Sequence, residues 1–567
     1  MPLSPFRAKP KGKRWCSAFL WPLLSGALSV AATEPVHAQA IPKPAGNAAK
    51  ATTKTGANTA KEGGASTNKS ALALTGSSYT ATVDLSETAA SNGRGLNKNI
   101  TSSFGGRGPD EITTAQFNLT AHDHTERFDG DAQYTLRGDY FARGTARSKL
   151  SHDLDAITKT VLVPEYFEVQ ARAVARQLYV NQLGALAASD LPVSNGAGSG
   201  LRQTFAETLT PDFKFRIGDF AQSEGSVTQT GIFFDNPNNN KVTTTIPGED
   251  QPTDTTSYGA SEKISSGSDF TRVNWTLSAS GRQTQRHAGD MSEVDEIADL
   301  KYAVSHEFFL TGTVGYEAIS SQQKLTHDLR GLLAMGGFQV TVGQHFEASA
   351  QAGQQFNFPS YKGDLKYQVT ARTTLNGSLT DTVTTPAQRL LDSLNALDVN
   401  SQGEFVDTSL GETGVDAFNP SPIDGLGISG NNISRYRSAL LSLGFDDGRT
   451  NYRLTGFETI RDRLTVDTSK TPPRQMSTGA TFAISRQMTP NLKSTVSLTY
   501  TTYDVLGGRT NIARASFEMN YMMTDKMSVY MRASYLDRLS SATLVAASPL
   551  SGSLTDIVAT IGLRRSF

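Results

Sequence analysis

DIVATIGLRRSF, residues 556–567, ends the chain on an alternation. Ile557, Ala559, Ile561 and Leu563 share one face of an extended strand, Thr560 and Gly562 take the other, and Phe567 closes the run. Val558 alone breaks the pattern. The ends of a domain fray unless a sheet or a packed element ties them down, so this end is predicted to be paired.

The same period of two runs upstream. In NLKSTVSLTYTTY, Leu492, Val496, Leu498 and Tyr500 oppose Lys493, Thr495, Ser497 and Thr499. Ala513, Ala515, Phe517, Met519 and Tyr521 oppose Arg514, Ser516, Glu518 and Asn520, and Val273, Trp275, Leu277 and Ala279 oppose Arg272, Asn274, Thr276 and Ser278. From about residue 77 onward such segments, each roughly ten residues long, are separated by Gly, Asn, Asp and Pro clusters. Both a soluble sandwich and a transmembrane barrel carry this signature.

The connections separate the two. Short turns at 523–526, 488–491, 446–450 and 305–308 alternate with longer polar stretches at 503–511, 461–475, 385–432 and 281–293. Short turns at one end and long loops at the other belong to an outer-membrane barrel. The expected fold is therefore all-β, a transmembrane antiparallel up-and-down barrel of roughly 22 strands, with 16 to 24 as the range. The weakest assignments are 147–159 and 254–264. In hydrocarbon an unpaired backbone amide is costly, so a lipid-facing sheet has to close on itself. The last strand is then expected to pair with the first, near residues 77–87.

Composition agrees with this division of labour. Only 37% of the 567 residues are hydrophobic, yet they are interleaved with polar ones, and a net charge of −1 gives no global field to attract nucleic acid. The N-terminus, MPLSPFRAKPKGKR followed by WCSAFLWPLLSGALSVAA, reads as a secretory signal over residues 1–40, with cleavage expected after Ala40. Its Cys16 is the chain's only cysteine, so the mature protein carries no disulfide or thiol chemistry. Residues 41–75 hold no large apolar side chain between Ile41 and Leu72 and read as a disordered periplasmic leader. Residues 76–567 make up the barrel.

The terminal strand, apolar at alternate places and ending in Phe567, resembles the terminal signal of bacterial outer-membrane barrels, although Arg565 stands where that pattern often has an aromatic residue. TLTPDFKFRIGDFA (208–221) and SYGASEKISSGSDFTRVNWTLSAS (257–280) further resemble a group of uncharacterised barrel porins, some associated with PEP-CTERM and exopolysaccharide gene clusters. The resemblance implies an outer-membrane location and a link to surface polysaccharide, and confers no catalytic residue. The partners it implies are outer-membrane lipids, the barrel-assembly machinery, and polysaccharide or small solutes.

For the lumen, strand parity points Arg137, Glu168, Arg172, Arg176, Arg272, Lys366, Arg372, Arg514, Glu518 and Arg532 inward. Rings of Arg and Lys can line anion-selective pores. The other reading is that these cations pair with inward carboxylates such as Asp139 and Asp364 and brace the wall. AHDHTERFDG (121–130) gathers His122, Asp123, His124 and Glu126, which as a turn full of solvated side chains gives no metal site. No cofactor is expected. The mature histidines, His122, His124, His152, His287, His306, His327 and His345, flank no recognisable nucleophile motif, so the expectation is a non-enzyme. Within 385–432, Leu390, Leu391, Leu394 and Leu397 fall on one side of a helix begun near Pro386, which either narrows the lumen or packs outside. The expected function is a porin-like channel, against a barrel that serves structure or surface interaction, or an outer-membrane hydrolase. With no globular segment ahead of the first strand, a TonB-dependent receptor with an N-terminal plug is disfavoured.

Overall fold

The computed structural model describes residues 76–91, 109–144, 148–179, 201–234, 254–286, 289–385, 388–389, 397–399, 405–407, 432–466, 474–505, 508–540 and 553–567. The predicted signal peptide, the leader and most of 385–432 lie outside them.

Period-two alternation gives strands throughout: β1 Gly76–Ala90, β2 Asp110–His124, β3 Phe128–Phe141, β4 Lys149–Val163, β5 Phe167–Tyr179, β6 Leu201–Ile217, β7 Ala221–Phe234 and β8 Thr255–Ser266. The next are β9 Val273–Arg286, β10 Met291–Ala303, β11 Phe308–Ser321, β12 Arg330–Val342, β13 Phe346–Gln355, β14 Phe358–Thr370 and β15 Thr373–Thr384. Two three-residue strands, β16 Leu397–Val399 and β17 Phe405–Asp407, pair with each other alone. The wall resumes with β18 Ser434–Asp446, β19 Thr450–Arg463, β20 Arg474–Thr489, β21 Leu492–Val505, β22 Gly508–Thr524, β23 Met527–Ser540 and β24 Leu554–Ser566. The weakly marked segments 147–159 and 254–264 are β4 and β8.

Neighbours in sequence pair antiparallel, and β24 pairs with β1 from Thr82↔Ser566 to Ala90↔Val558, closing a 22-stranded barrel. This pairing begins five residues further along β1 than expected, and Gly76–Thr80 pair with β2 alone. Ile557, Ile561 and Leu563 stand exposed on the outer face, as do Leu85 and Tyr79 of β1. Asp556 and Val558 are buried on the inner face. Val558 breaks the sequence pattern because it packs inside, in an apolar cluster with Ala90, Ile112 and Phe141.

One rim carries only short connections, of two to six residues. At the opposite rim the predicted loops 281–293 and 503–511 shrink to 287–290 and 506–507. Inward polar residues of these segments, among them Thr284, Arg286 and Thr510, are buried parts of strands.

The ring splits at two places towards the long-loop rim. β14 and β15 pair only as far as Gly363↔Leu379, while β15 and β18 continue to Thr384↔Ser434. β4 and β5 part beyond Leu154↔Ala175. Side chains reach over both gaps: Arg435 Nη2 of β18 donates to the Pro359 carbonyl of β14, and Gln203 Nε2 of β6 donates to the His152 carbonyl of β4 at 2.9 Å. Backbone acceptors freed by the splits are thereby satisfied.

Candidate functional site

The inner face is polar. Across the closing seam, Thr88 and Thr560 share a hydrogen bond of 2.9 Å, and Asp84 accepts from Tyr530 Oη at 2.8 Å and from Arg564 Nε at 3.0 Å. Asp84 was legible as an acid at an inward position of the first strand, but the sequence reading passed over it.

Of the predicted lumen residues, Arg137, Glu168, Arg172, Arg176, Lys366, Arg514, Glu518 and Arg532 sit on inner-face positions of their strands. Several form ion pairs along the wall. Arg137 Nε lies 3.0 Å from Asp139, Arg172 Nη2 lies 2.9 Å from Asp155, and Arg532 Nη2 lies 2.9 Å from Glu518. Glu168 receives both Lys159 and Lys214 at 3.0 Å, which joins β4, β5 and β6. This arrangement supports the bracing reading for those side chains.

Two residues are misplaced by the sequence reading. Arg272 lies in the connection before β9, and Arg372 lies in the turn before β15, where its Nη1 meets Asp447 at 2.6 Å. Parity had extended both strands by one residue into their turns. The leucine-rich segment is also corrected. Gln388 and Arg389 are helical, but Leu397 belongs to β16, so a single helix does not carry the four leucines; Leu390, Leu391 and Leu394 lie outside the described residues.

The described histidines bond to carboxylate, hydroxyl and amide groups. His122 bonds Asp131 and His124 bonds Asp129 at 3.1 Å, both across β2 and β3. His152 bonds Tyr134 Oη at 2.7 Å, His327 bonds Thr326, and His345 bonds Gln368. His287 lies outside the described residues. Among the described residues no group of three or more His, Cys, Asp or Glu is placed to hold a metal.

The long-loop rim holds the most built part of the interior. The connection 322–329 after β11 crosses to the exit of β19: Leu325 bridges Thr465, Thr326 N donates to the Leu464 carbonyl at 2.8 Å, and Val466 N donates to the Lys324 carbonyl at 2.7 Å. Beneath this strap Met291, Ile319, Leu329, Phe356, Ile433 and Leu464 form a buried apolar cluster. Apolar residues are stable here because the strap removes them from water.

Beside the cluster the root of the loop after β15 also turns inward. Thr385 is buried, and Gln388 Oε1 accepts from Arg282 Nη1 of β9 at 2.8 Å, while the Arg389 guanidinium lies 4.1 Å from the Tyr436 ring centre. Between this root and the wall of β7–β11 lies a small cleft, with Arg282 and Glu293 (3.7 Å apart) on its lining. Nothing in sequence spacing links residues 282 and 388, so neither the strap nor the cleft was foreseeable.

No family model matches this chain, and no curated protein matches it. Among solved structures it is similar to the siderophore receptor PirA from Acinetobacter baumannii, at 7% identity over 86% of this chain and 80% of that one, with a TM-score of 0.43. It is similar also to the FrpB iron transporter from Neisseria meningitidis in its apoprotein form (10% identity, 86% and 81% coverage, TM-score 0.46). PirA from Pseudomonas aeruginosa gives 10% identity, 86% and 80% coverage and a TM-score of 0.37. These likenesses are loose, and the barrel stands on its own strand register.

Proposed function

We propose that this chain is an outer-membrane channel that passes polar solutes through a partly covered lumen, with its short connections on the periplasmic side. The observation that carries this reading is the closed ring of 22 strands with exposed Leu, Ile, Val and Tyr outside and ion pairs and hydroxyls inside. Twenty-two strands enclose more space than wall side chains can fill. The resemblance of 208–221 and 257–280 to exopolysaccharide-associated barrels makes polysaccharide one candidate cargo.

The test is conductance of the refolded mature protein in a planar bilayer. Discrete current steps are expected. A folded barrel that stays electrically silent overturns the reading in favour of a second one, a barrel serving structure or surface interaction, which the strap over the mouth favours.

A further inference from the structure

Three glutamates stand where the wall of a barrel meets lipid. Glu207 of β6 lies at alternate places between Phe205 and Leu209, Glu262 of β8 follows Tyr258 and Ala260, and Glu296 of β10 lies between Val294 and Ala298. Phe205, Leu209, Tyr258 and Val294 are exposed on the outer face, so the alternation turns the three acids outward with them. Glu262 and Glu296 are themselves exposed.

Their depth follows from the register. Glu262, Ala279 and Glu296 are consecutive partners across β8, β9 and β10. Trp275, packed with Phe220 and Phe270 at the short-turn rim, marks the edge of the apolar band. Ala279 is four residues further along β9, roughly 13 Å along the strand. At the usual strand tilt that is about 10 Å above the aromatic edge, near the middle of a band about 25 Å tall.

A carboxylate at that depth is costly in lipid, and such groups normally face a partner. Among the described residues the outer positions of β6–β10 carry no Lys or Arg. Glu262 instead accepts from the Ser223 hydroxyl of β7 and lies over Gly225, where a Cβ would meet its carboxylate. Gly225, Ala260, Ala279 and Gly281 leave this part of the wall flat, so that a neighbouring backbone can approach closely.

We infer that the outer face of β6–β10 is covered by a second, different membrane-embedded protein whose contact surface presents Lys or Arg. Charge decides against another copy of this chain. A twofold contact would set glutamate against glutamate. In a head-to-tail contact the described outer-face cations, Arg435, Arg437, Arg474 and Arg486 among them, lie within four residues of a strand end, away from the depth of Glu262. The weak contrast between the faces of β8 has the same cause, since a strand covered by protein has no call for an apolar outer face. The inference rests on the barrel and the direction of its faces, and is independent of conduction.

The experiment places p-benzoylphenylalanine at Ala279, between Glu262 and Glu296, or at Leu498 of β21 as a control, in the full-length chain in its native outer membrane. Irradiation is expected to give one discrete protein adduct from position 279 and none from 498, with Lys or Arg in the crosslinked membrane-spanning segment of the partner. E262L/E296L is expected to lower the adduct about tenfold or more, as loss of a desolvated charge pair demands. Heat-modifiable migration on gels confirms that each variant is folded. In pure phospholipid vesicles, where the partner is absent, the same double variant is expected to refold in higher yield than the wild type, because two carboxylates have left the lipid face. An adduct with lipid alone or with a second copy of this chain overturns the proposal. So does an adduct undiminished in E262L/E296L, or a vesicle yield no higher than the wild type's.

Discussion

Single side chains do unusual work where the ladder is broken. Arg435 and Asp381 form a close ion pair whose side chains are 11% and 1% exposed, and the same guanidinium holds the Pro359 carbonyl and lies over the Phe358 ring. Removing one partner leaves a buried charge alone, which typically costs 3–5 kcal/mol, roughly, whereas replacing both with apolar residues of similar volume costs far less. R435A is therefore expected to lower the unfolding midpoint in vesicles sharply, and R435M/D381L to recover most of it; equal losses in both would show that the pair staples nothing. A second residue-scale case is Gly562. A methyl group there would come within 2.3 Å of the Tyr530 ring, which lies over the glycine to reach Asp84. G562A should cost about 1–3 kcal/mol by overpacking. Adding Y530A should relieve the clash, so a double variant no more stable than G562A alone, measured by urea titration in vesicles, would argue against ring stacking as the cause.

At the scale of elements, β24 shows how the two faces divide the energetics. Ile561 faces outward, and an arginine there is expected to cost about 2–4 kcal/mol if it meets the bilayer midplane, falling towards zero near an interface. I561R should accordingly fold far less well than T560R, whose side chain points inward, when refolding yields into vesicles are compared. Similar yields would contradict the outward assignment of Ile561. Strands were the most legible feature of the sequence because each outer face is apolar and each inner face is not. β8 was faint because its outer positions include Thr256, Ala260 and Glu262 as well as Tyr258, so that little contrast separates its faces. Strand ends near the long-loop rim were misread as loop because buried inward Thr and Arg, such as Thr284, Arg286 and Thr510, have the composition of a loop. The inner wall was legible residue by residue through parity. The mouth was not, because the Leu325–Thr465 bridge and the Arg282–Gln388 bond join residues far apart in sequence, and a single sequence carries no signal for such pairs.

The described strands form a wide ring, and two of the described segments reach inward at its long-loop mouth. The strap from β11 reaches β19 over the apolar cluster, and the loop root after β15 reaches the β9 wall, so both obstructions belong to the same side of the ring. Side chains of the wall cannot fill a ring of this strand number, and among the described residues these two segments are the ones that narrow it. Replacing residues 323–328 with a short Gly-Ser turn removes the bridge to Thr465 and exposes Leu329 and Leu464, while every wall strand keeps its register partners. Conductance is expected to rise about twofold or more, since current follows the open area. Stability should fall at the same time, because the six-residue apolar cluster loses its cover. The two effects have one cause and should appear together. A variant destabilised with unchanged conductance would place the solute path away from the strap and would make the strap a structural tie rather than a constriction.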